Sequence, residues 1–586
     1  MKNLKWDILP TPPEDFFAEH PDYSRTLLHL LYHRNIRTSE DIEVFLHPNY
    51  ADHVYDPYLF KDMEKAVTRL EQAMVNEERI TIYGDYDADG VSAAVILASL
   101  FNALDYKHYN VYLPHREKDG YGLNKNAVAL LADEGTKVLI TCDCGISNAP
   151  EVDQANALGI DVIITDHHSI PVTIPSAYAI IHPKIENEPY PDKNLAGGGV
   201  AFKLMQGVLK KHKQTHDLLP NGESHEAFEK WQLDMCAIAS VADMVPLIGE
   251  PRTLTKYGLI VLAKSRRIGM QKLFLEAGIM HNDGSLQRDI DANTIGFRIA
   301  PRINAAGRID HANVAYNLLM EPNGANATDL AFRLEQTNTE RRELTDLVTA
   351  EAIEQAKKLA HDPIIIVYGP YWSPGITGLV AGKLVQEFGK PAIVIVDNGE
   401  KCSASGRSIP GFNMIAALQA NPEHFLKFGG HPMACGFSIE NKNTIPALKQ
   451  ALFTTFKEMT AGKDLTPNIQ IDAEILLTNV NWDLWDELLL LEPYGQQNAR
   501  PRFLIKNLNI DDLSPLGAEE KHIKLWVRAN NTKKQLIGWQ VCAGSDPNLC
   551  KTLKKGDVID TVVEVDVNEW NGNRELRLTL VDLRKQ

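Results

Sequence analysis

Long apolar runs and paired metal-binding cysteine spacings are what this 586-residue sequence lacks. No stretch approaches the roughly 18 consecutive apolar residues that a spanning helix needs, so no membrane association is expected. Met1 to Leu9 carry Lys2, Lys5 and Asp7 around no apolar core, which speaks against a signal peptide and for a cytoplasmic protein. The seven cysteines show no metal-binding spacing. Cys142 and Cys144 stand two apart with no further thiols to complete a four-ligand site, so structural zinc is not expected and the thiols read as reduced core residues. Positive charge is also short. A net charge of −17 argues against indiscriminate nucleic-acid binding. It is uneven, however: residues 500–586 hold 15 Lys or Arg against 12 Asp or Glu, an excess of three positive charges that leaves −20 for the rest. Hydrophobic content of 44% and charged content of 23% are those of an ordinary globular chain, and the length predicts three or four domains.

What the sequence does have is a run of alternating carboxylates, Asp85, Asp87 and Asp89, between Gly84 and Gly90 at the end of an apolar strand. Strand residues alternate between faces, so the three acids can share a direction only by leaving the strand as Gly90 opens a turn. Like charges held that close raise one another's pKa, and a divalent Mg or Mn ion reverses the cost. Two more apolar runs end in acids: 138–141 leads to Asp143, and 160–165 leads to Asp166, His167 and His168. A fourth, 236–242, precedes Asp243. Functional groups gather at the carboxyl ends of strands in an open parallel sheet, so four strand-end clusters are expected to meet at one spot. Imidazole with several carboxylates suits Mn or a similar cation, and a pair of ions sharing one carboxylate suits phosphate-ester hydrolysis.

The predicted fold is α/β: a parallel-sheet domain, a long connecting helix, a second α/β domain and a C-terminal all-β barrel of the oligonucleotide-binding (OB) type. Residues 1–61 form an N-terminal extension expected to pack on the first domain. Residues 62–265 alternate strands with helices at 63–75, 91–104, 126–134 and 152–158, the pattern of a parallel sheet. Gly197, Gly198 and Gly199 open a helix that suits either approach to phosphate or a tight turn. In the connector, 266–361, Arg298, Arg302 and Arg308 surround a small-residue turn that suits either an oxyanion or solvent. One helix or a bent pair is expected over 327–360. The second α/β domain, 362–463, carries glycine-framed polar turns at 403–408 and 429–436, where Arg407 can neutralise a phosphodiester and His431 can donate to it. Residues 464–586 show short strands, with Trp526, Trp539, Trp570, Lys521, Lys524, Arg528, Lys533 and Lys534 available for stacking and phosphate tracking, or else as core and solvated residues.

These blocks, in this order, resemble the DHH phosphoesterase superfamily, and within it a bacterial family of single-strand-specific exonucleases. The resemblance runs over nearly the whole chain: Gly84 to Gly90, Asp143, the run Asp166, His167 and His168, Asp243, Arg302 to Arg308, Gly429 to His431, and Glu492 to Gln496. It implies that Asp87, Asp89, Asp143, His167 and Asp243 hold two divalent cations, Mn preferred or Mg, with Asp143 between them. Asp85, Asp166 and His168 would back these ligands or contact phosphate, and His431 would contact the scissile phosphate. Arg116, Arg302, Ser405 and Arg407 would anchor the 5′ end, and Arg308 would also bind substrate. Some members of the superfamily place a histidine where this chain has Tyr83. The resemblance further implies 5′-to-3′ release of mononucleotides from single-stranded DNA in repair and recombination. It suggests a monomer working with a helicase and a single-strand-binding protein. A smaller enzyme of short oligonucleotides would not need residues 467–586, and a non-catalytic scaffold would not need the acids.

Overall fold

The computed structural model describes residues 4–586 apart from 117, 398, 400, 543–548 and 571. The chain opens on a short strand, β1 (Lys5–Ile8), and the helices Glu14–Glu19, Arg25–Tyr32 and Ser39–Leu46. Ser24 and Thr38 cap the last two by accepting the amides of Leu27 and Asp41. The expected packing on the first α/β domain is found for the later part of this segment: Arg252 lies 3.9 Å over the Phe45 ring and donates to the Phe45 carbonyl at 3.0 Å, Phe60 joins the first domain's core and the Tyr58 hydroxyl donates to the Gly207 carbonyl at 3.0 Å. Beyond that expectation, Phe16, Leu28, Leu31 and Phe45 also enter the apolar core of the C-terminal barrel.

The first domain holds β2 (Arg79–Gly84), β3 (Tyr109–Tyr112), β4 (Thr136–Cys142), β5 (Asp161–Thr165) and β6 (Ala179–Ile181), all parallel, in the order β3-β2-β4-β5-β6. Both faces are covered, which is why these strands read as continuous apolar runs. Ile80, Ile82, Val138 and Ile140 point into a core beneath the helices Met63–Val75, Ala88–Ala103 and Gly197–His212. Tyr83, Leu139 and Val162 alternate into a second core beneath Lys125–Asp133 and Ala149–Ala157. Pairing sets Gly84 beside Cys142 and Cys142 beside Thr165, so three strands end level with one another. The fourth apolar run is not a strand. Leu233–Ala242 is a helix buried nearly throughout, with Asp243 at its C-terminal cap. A uniformly apolar run of that length has no periodicity by which to tell strand from helix.

The arginine-bearing segment expected as a turn is likewise a helix, Ala300–Ile309, entered through Pro301. Gly324–Lys358 follows as one unbroken helix of 35 residues, roughly 50 Å long, with Asn323 accepting the amides of Ala325 and Asn326 at its start. In the second domain, β7 (Ile365–Gly369), β8 (Ala392–Asp397), β9 (Cys402–Arg407), β10 (Lys427–His431) and β11 (Ala434–Ile439) form a mixed sheet in the order β10-β11-β9-β8-β7. Only β7 and β8 run parallel. Two stretches expected as turns are therefore strands. Along β9, Cys402, Ala404 and Gly406 are buried while Ser403, Ser405 and Arg407 are not, an alternation hidden because small residues carry little hydrophobic signal.

β12 (Asn468–Ile471) pairs in parallel with β1. β13 (Ala473–Glu474), β14 (Phe503–Leu516), β15 (His522–Ala529), β16 (Thr532–Gly538), β17 (Val558–Trp570) and β18 (Asn573–Lys585) build the barrel, which closes because β14 pairs with both β15 and β17. The cysteines depart from expectation here: Cys542 and Cys550 form a disulfide, while Cys142, Cys144, Cys236, Cys402 and Cys435 are buried thiols. Among the described residues no helix is long and apolar enough to cross a membrane.

Candidate metal centre and phosphate cleft

Because β2, β4 and β5 end level, Asp85, Asp143 and Asp166 leave the sheet at adjacent points. Asp87 then caps the helix Ala88–Ala103, its Oδ1 accepting the amides of Asp89 at 2.9 Å and Gly90 at 3.2 Å. Asp89 is buried in the first turn and accepts the amides of Gly197 at 2.8 Å and Gly198 at 2.6 Å from the start of another helix. A Cβ at Gly197 would lie 2.5 Å from the Asp143 Cβ, so glycine is what lets that helix end reach the acids. The triplet expected to approach phosphate or make a turn instead orients a carboxylate.

His167 Nε2 lies 3.2 Å from Asp143 Oδ1, 3.5 Å from Asp243 Oδ2 and 3.7 Å from Asp89 Oδ2. Three overlapping groups offer ligand atoms within 4.8 Å of one another: Asp85, Asp87 and Asp143; Asp143, His167 and His168; Asp89, His167 and Asp243. All four expected clusters thus meet, although Asp243 arrives from a helix end. Asp85 Oδ1, Asp143 Oδ1 and His167 Nε2 are buried without a hydrogen bond, the approach of the last two being misaligned for one. Burial, reinforced by neighbouring carboxylates, pushes Asp85, Asp89 and Asp143 well above the usual range. Burial and Asp87 bring Asp243 up to about 7. Burial, then the adjacent His168, brings His167 down to about 3, leaving its ring a neutral donor of a lone pair. Asp166 behaves oppositely. Burial would raise it, but the His168 Nδ1 contact at 2.8 Å, the charge of that ring and the Ile146 amide at 2.9 Å hold it well below the usual range. Burial lowers His168 in turn, yet Asp166 carries it up to about 9. Orphaned carboxylate oxygens facing a neutral imidazole are a donor set that fits Mn or Mg.

The second domain faces this cluster across a cleft. Arg308 donates to the Gly375 carbonyl at 2.9 Å. Arg116 lies 5.0 Å over the Tyr86 ring, and Arg407 is so close to Gly378 that a Cβ there would sit 3.1 Å from its Nη2. Ser405 Oγ shares a 2.9 Å hydrogen bond with Thr377 Oγ1. A cavity of about 560 Å³ opens between Arg116, Trp372, Gly375, Lys401 and Ser438. His431 ends β10, where partial enclosure and then the charges of His168 and Lys184 lower its pKa. Arg302 is not brought to this group. It pairs with Glu335 on the long helix and donates to the Arg298 carbonyl at 2.6 Å. On the barrel, Trp526 is half-buried with Lys524 and Lys533 at 5.7 and 5.1 Å from its ring. Trp539 is 47% exposed. Lys521 and Arg528 are paired with Glu519 and Asp511, and the Trp570 side chain lies outside the described residues.

Three family models match in the same order as these parts: the DHH family N-terminal domain over residues 79–239, the DHHA1 domain over 361–458 and the RecJ OB domain over 471–582. The single-stranded-DNA-specific exonuclease RecJ of Bacillus subtilis is 34% identical over 99% of this chain and 70% of its own length. RecJ of Dickeya dadantii is 30% identical over 97% of each chain. The chain belongs to the RecJ family. A crystal structure of Thermus thermophilus RecJ in complex with Mn2+ superposes with a TM-score of 0.82 at 26% identity, covering 99% of this chain and 80% of that one.

In this RecJ-family chain three groups at the centre escaped sequence reasoning. Lys184 donates to the His167 carbonyl at 2.5 Å. The Tyr121 hydroxyl lies 3.1 Å from the His168 ring nitrogens and donates to the Asp143 carbonyl at 3.3 Å. Asn304 accepts the Ala88 amide at 2.7 Å, tying the 300–309 helix to the acid turn. The bracketing of Tyr121 by Gly120 and Gly122 was a usable signal; Lys184 and Asn304 had none, since their partners lie 17 and 216 residues away.

Proposed function

We propose that this chain is a divalent-metal-dependent exonuclease that hydrolyses single-stranded DNA from 5′ to 3′, releases 5′-mononucleotides and serves repair and recombination. One observation carries the reading: five aspartates and two histidines converge on a pocket in which Asp85, Asp143 and His167 leave buried polar atoms unpartnered. In support, the B. subtilis and D. dadantii relatives are single-stranded-DNA-specific exonucleases, and the T. thermophilus relative crystallised with Mn2+. Asp87, Asp89, Asp143, His167 and Asp243 would hold two Mn or Mg ions, with Asp143 shared because it belongs to two of the three overlapping groups. When bound, such ions supply Lewis acidity towards a phosphoryl oxygen and activate water.

The remaining work falls to the chain's own residues. Asp166 fixes the His168 ring and keeps it protonated, placing a hydrogen-bond donor and a positive charge beside the reacting phosphate. His431 donates to the same phosphate from the other wall. Arg116, Ser405 and Arg407 take the 5′ end with Arg308 beside them on the strand, so the next linkage along the chain meets the acid cluster, which sets the polarity. No protein nucleophile is required. The nearby thiol of Cys142 is buried and pushed up to about 12. The barrel feeds the strand by stacking on Trp526 and Trp539. We further infer a cytoplasmic monomer that receives its strand from a helicase and a single-strand-binding protein.

The test is digestion of 5′- and 3′-labelled single strands, RNA and duplex side by side in Mn. Mononucleotides released first from the 5′ label on single-stranded DNA are expected. Release from the 3′ end, or equal digestion of duplex, would refute the reading.

A further inference from the structure

The phosphate cleft holds more positive charge than the residues recognised in the sequence account for. The long helix Gly324–Lys358 packs on Ala300–Ile309 and on the turn Pro374–Ile376. From that contact it carries Arg341 towards Arg308. Arg341 is half-buried, donates Nη2 to Asn338 Oδ1 at 3.0 Å and leaves its Nε buried with no partner. Neither Arg341 nor Arg116, Arg308 or Arg407 pairs with a carboxylate among the described residues, whereas Arg302 nearby is neutralised by Glu335. Arg308 links the group together. It is half-buried, bonded to Gly375 three residues before the Gly378 that touches Arg407, and adjacent to Gly307, where a Cβ would meet the carbonyl of the same Tyr86 that Arg116 covers. The electrostatics agree. Burial, then Arg116 and Arg341, bring Arg308 down to about 10, with Asp87 opposing them, and burial followed by Arg342 and Arg302 lowers Arg341.

Half-buried guanidiniums gathered without carboxylates lose hydration and repel one another, and an anion bound among them offsets both costs. A terminal phosphate brings about two negative charges, roughly half of what four guanidiniums balance. The cleft is therefore built for more than one phosphate.

We infer that Arg341 is a substrate-contacting residue which, with Arg308, holds the first internal phosphate of the strand, while Arg116 and Arg407 hold the terminal one. The inference rests on the exonuclease reading. It makes the connecting helix a part of the substrate site as well as a spacer, because the residue that completes the anion pocket belongs to neither α/β domain. Bidentate geometry matters here: lysine keeps the charge but loses the paired hydrogen bonds.

The experiment compares Arg341→Gln and Arg341→Lys with wild type on 5′-phosphorylated and 5′-hydroxyl single strands in Mn, together with the salt dependence of binding in Ca. Arg341→Gln should lower kcat/KM about tenfold and reduce the slope of log K against log salt by about one. Arg341→Lys should restore the slope and only part of kcat/KM. The Arg341→Gln penalty should stay within about twofold on the 5′-hydroxyl strand, because the internal phosphate is still there. An unchanged salt slope with an unchanged kcat/KM, or a penalty that vanishes on the 5′-hydroxyl strand, overturns the assignment. A wild-type enzyme that neither binds nor digests single strands overturns the exonuclease reading instead.

Discussion

The middle and the N-terminus of one helix, Gly197–His212, treat buried charge in opposite ways. Along its middle, Lys203 and Glu250 form an ion pair with both side chains fully buried; Tyr190 donates to Glu250 at 2.5 Å and Lys203 donates to the Tyr55 carbonyl at 2.8 Å. That charge is settled within the protein. At its N-terminus two amides reach Asp89, yet the surrounding acids keep orphaned oxygens and pKa values pushed upward. Both regions carry the same desolvation cost. Only the second leaves the balancing charge to come from outside, and the arginine-rich wall opposite does the same with the sign reversed. A structural ion pair and a binding site are thus told apart by whether the protein completes its own neutralisation.

Removing a ligand should have the largest effect on this contrast. Asp143→Asn takes out the acid shared by two ligand groups, and kcat should fall on the order of 10³-fold or more, several kcal/mol of transition-state stabilisation. Metal content measured by elemental analysis should fall with it; full activity with unchanged metal content would remove Asp143 from the centre. Breaking the settled pair instead, with Lys203→Met, should cost about 3–5 kcal/mol of stability, read as a lower urea midpoint. The folded fraction should digest DNA at the wild-type rate, and a large loss of kcat without destabilisation would show that the two regions are not separable. Asp166→Asn, which frees the His168 ring, should lower activity about 10–100-fold, with metal affinity and the pH profile both altered.

The pH dependence of the metal-free protein sharpens the comparison further. An acid whose native pKa lies above its unfolded value favours folding when protonated, so the stability it contributes is lost as pH rises through the native value. Asp85, Asp89 and Asp143 are shifted upward and Asp243 stands at about 7. The melting temperature of chelator-treated protein should therefore fall as pH rises from about 4 past 7, and Mn should remove that fall. A flat profile would mean the acids are not confined together. The smallest effect is expected from Tyr121→Phe, which deletes one hydrogen bond to His168 and should lower kcat about three- to tenfold with bound metal unchanged.

Much of this centre was legible in the sequence because parallel sheets concentrate chemistry at strand ends. Asp85, Asp143 and Asp166 each follow an apolar run, and their convergence needed only that the three strands end level. Asp243 was found for a partly wrong reason, as the end of a strand that is a helix. Arg302 and Arg341 mark the limit of that reading. One sits in a recognisable motif and is spent on Glu335, the other sits in an unremarkable helical stretch and remains unpaired.

The sequence by itself determined the order of the domains, the family and the acids of the centre, since these are written in local periodicity and in residue types that only a cation can reconcile. Folding settled which charges are neutralised at home and which wait for a ligand, and it placed Phe16, Leu28 and Leu31 in the core of the distant C-terminal barrel. Partners such as Lys203 and Glu250, or Phe16 and the barrel core, are separated by tens to hundreds of residues. No pattern within one segment encodes a pairing that exists only once the chain has closed.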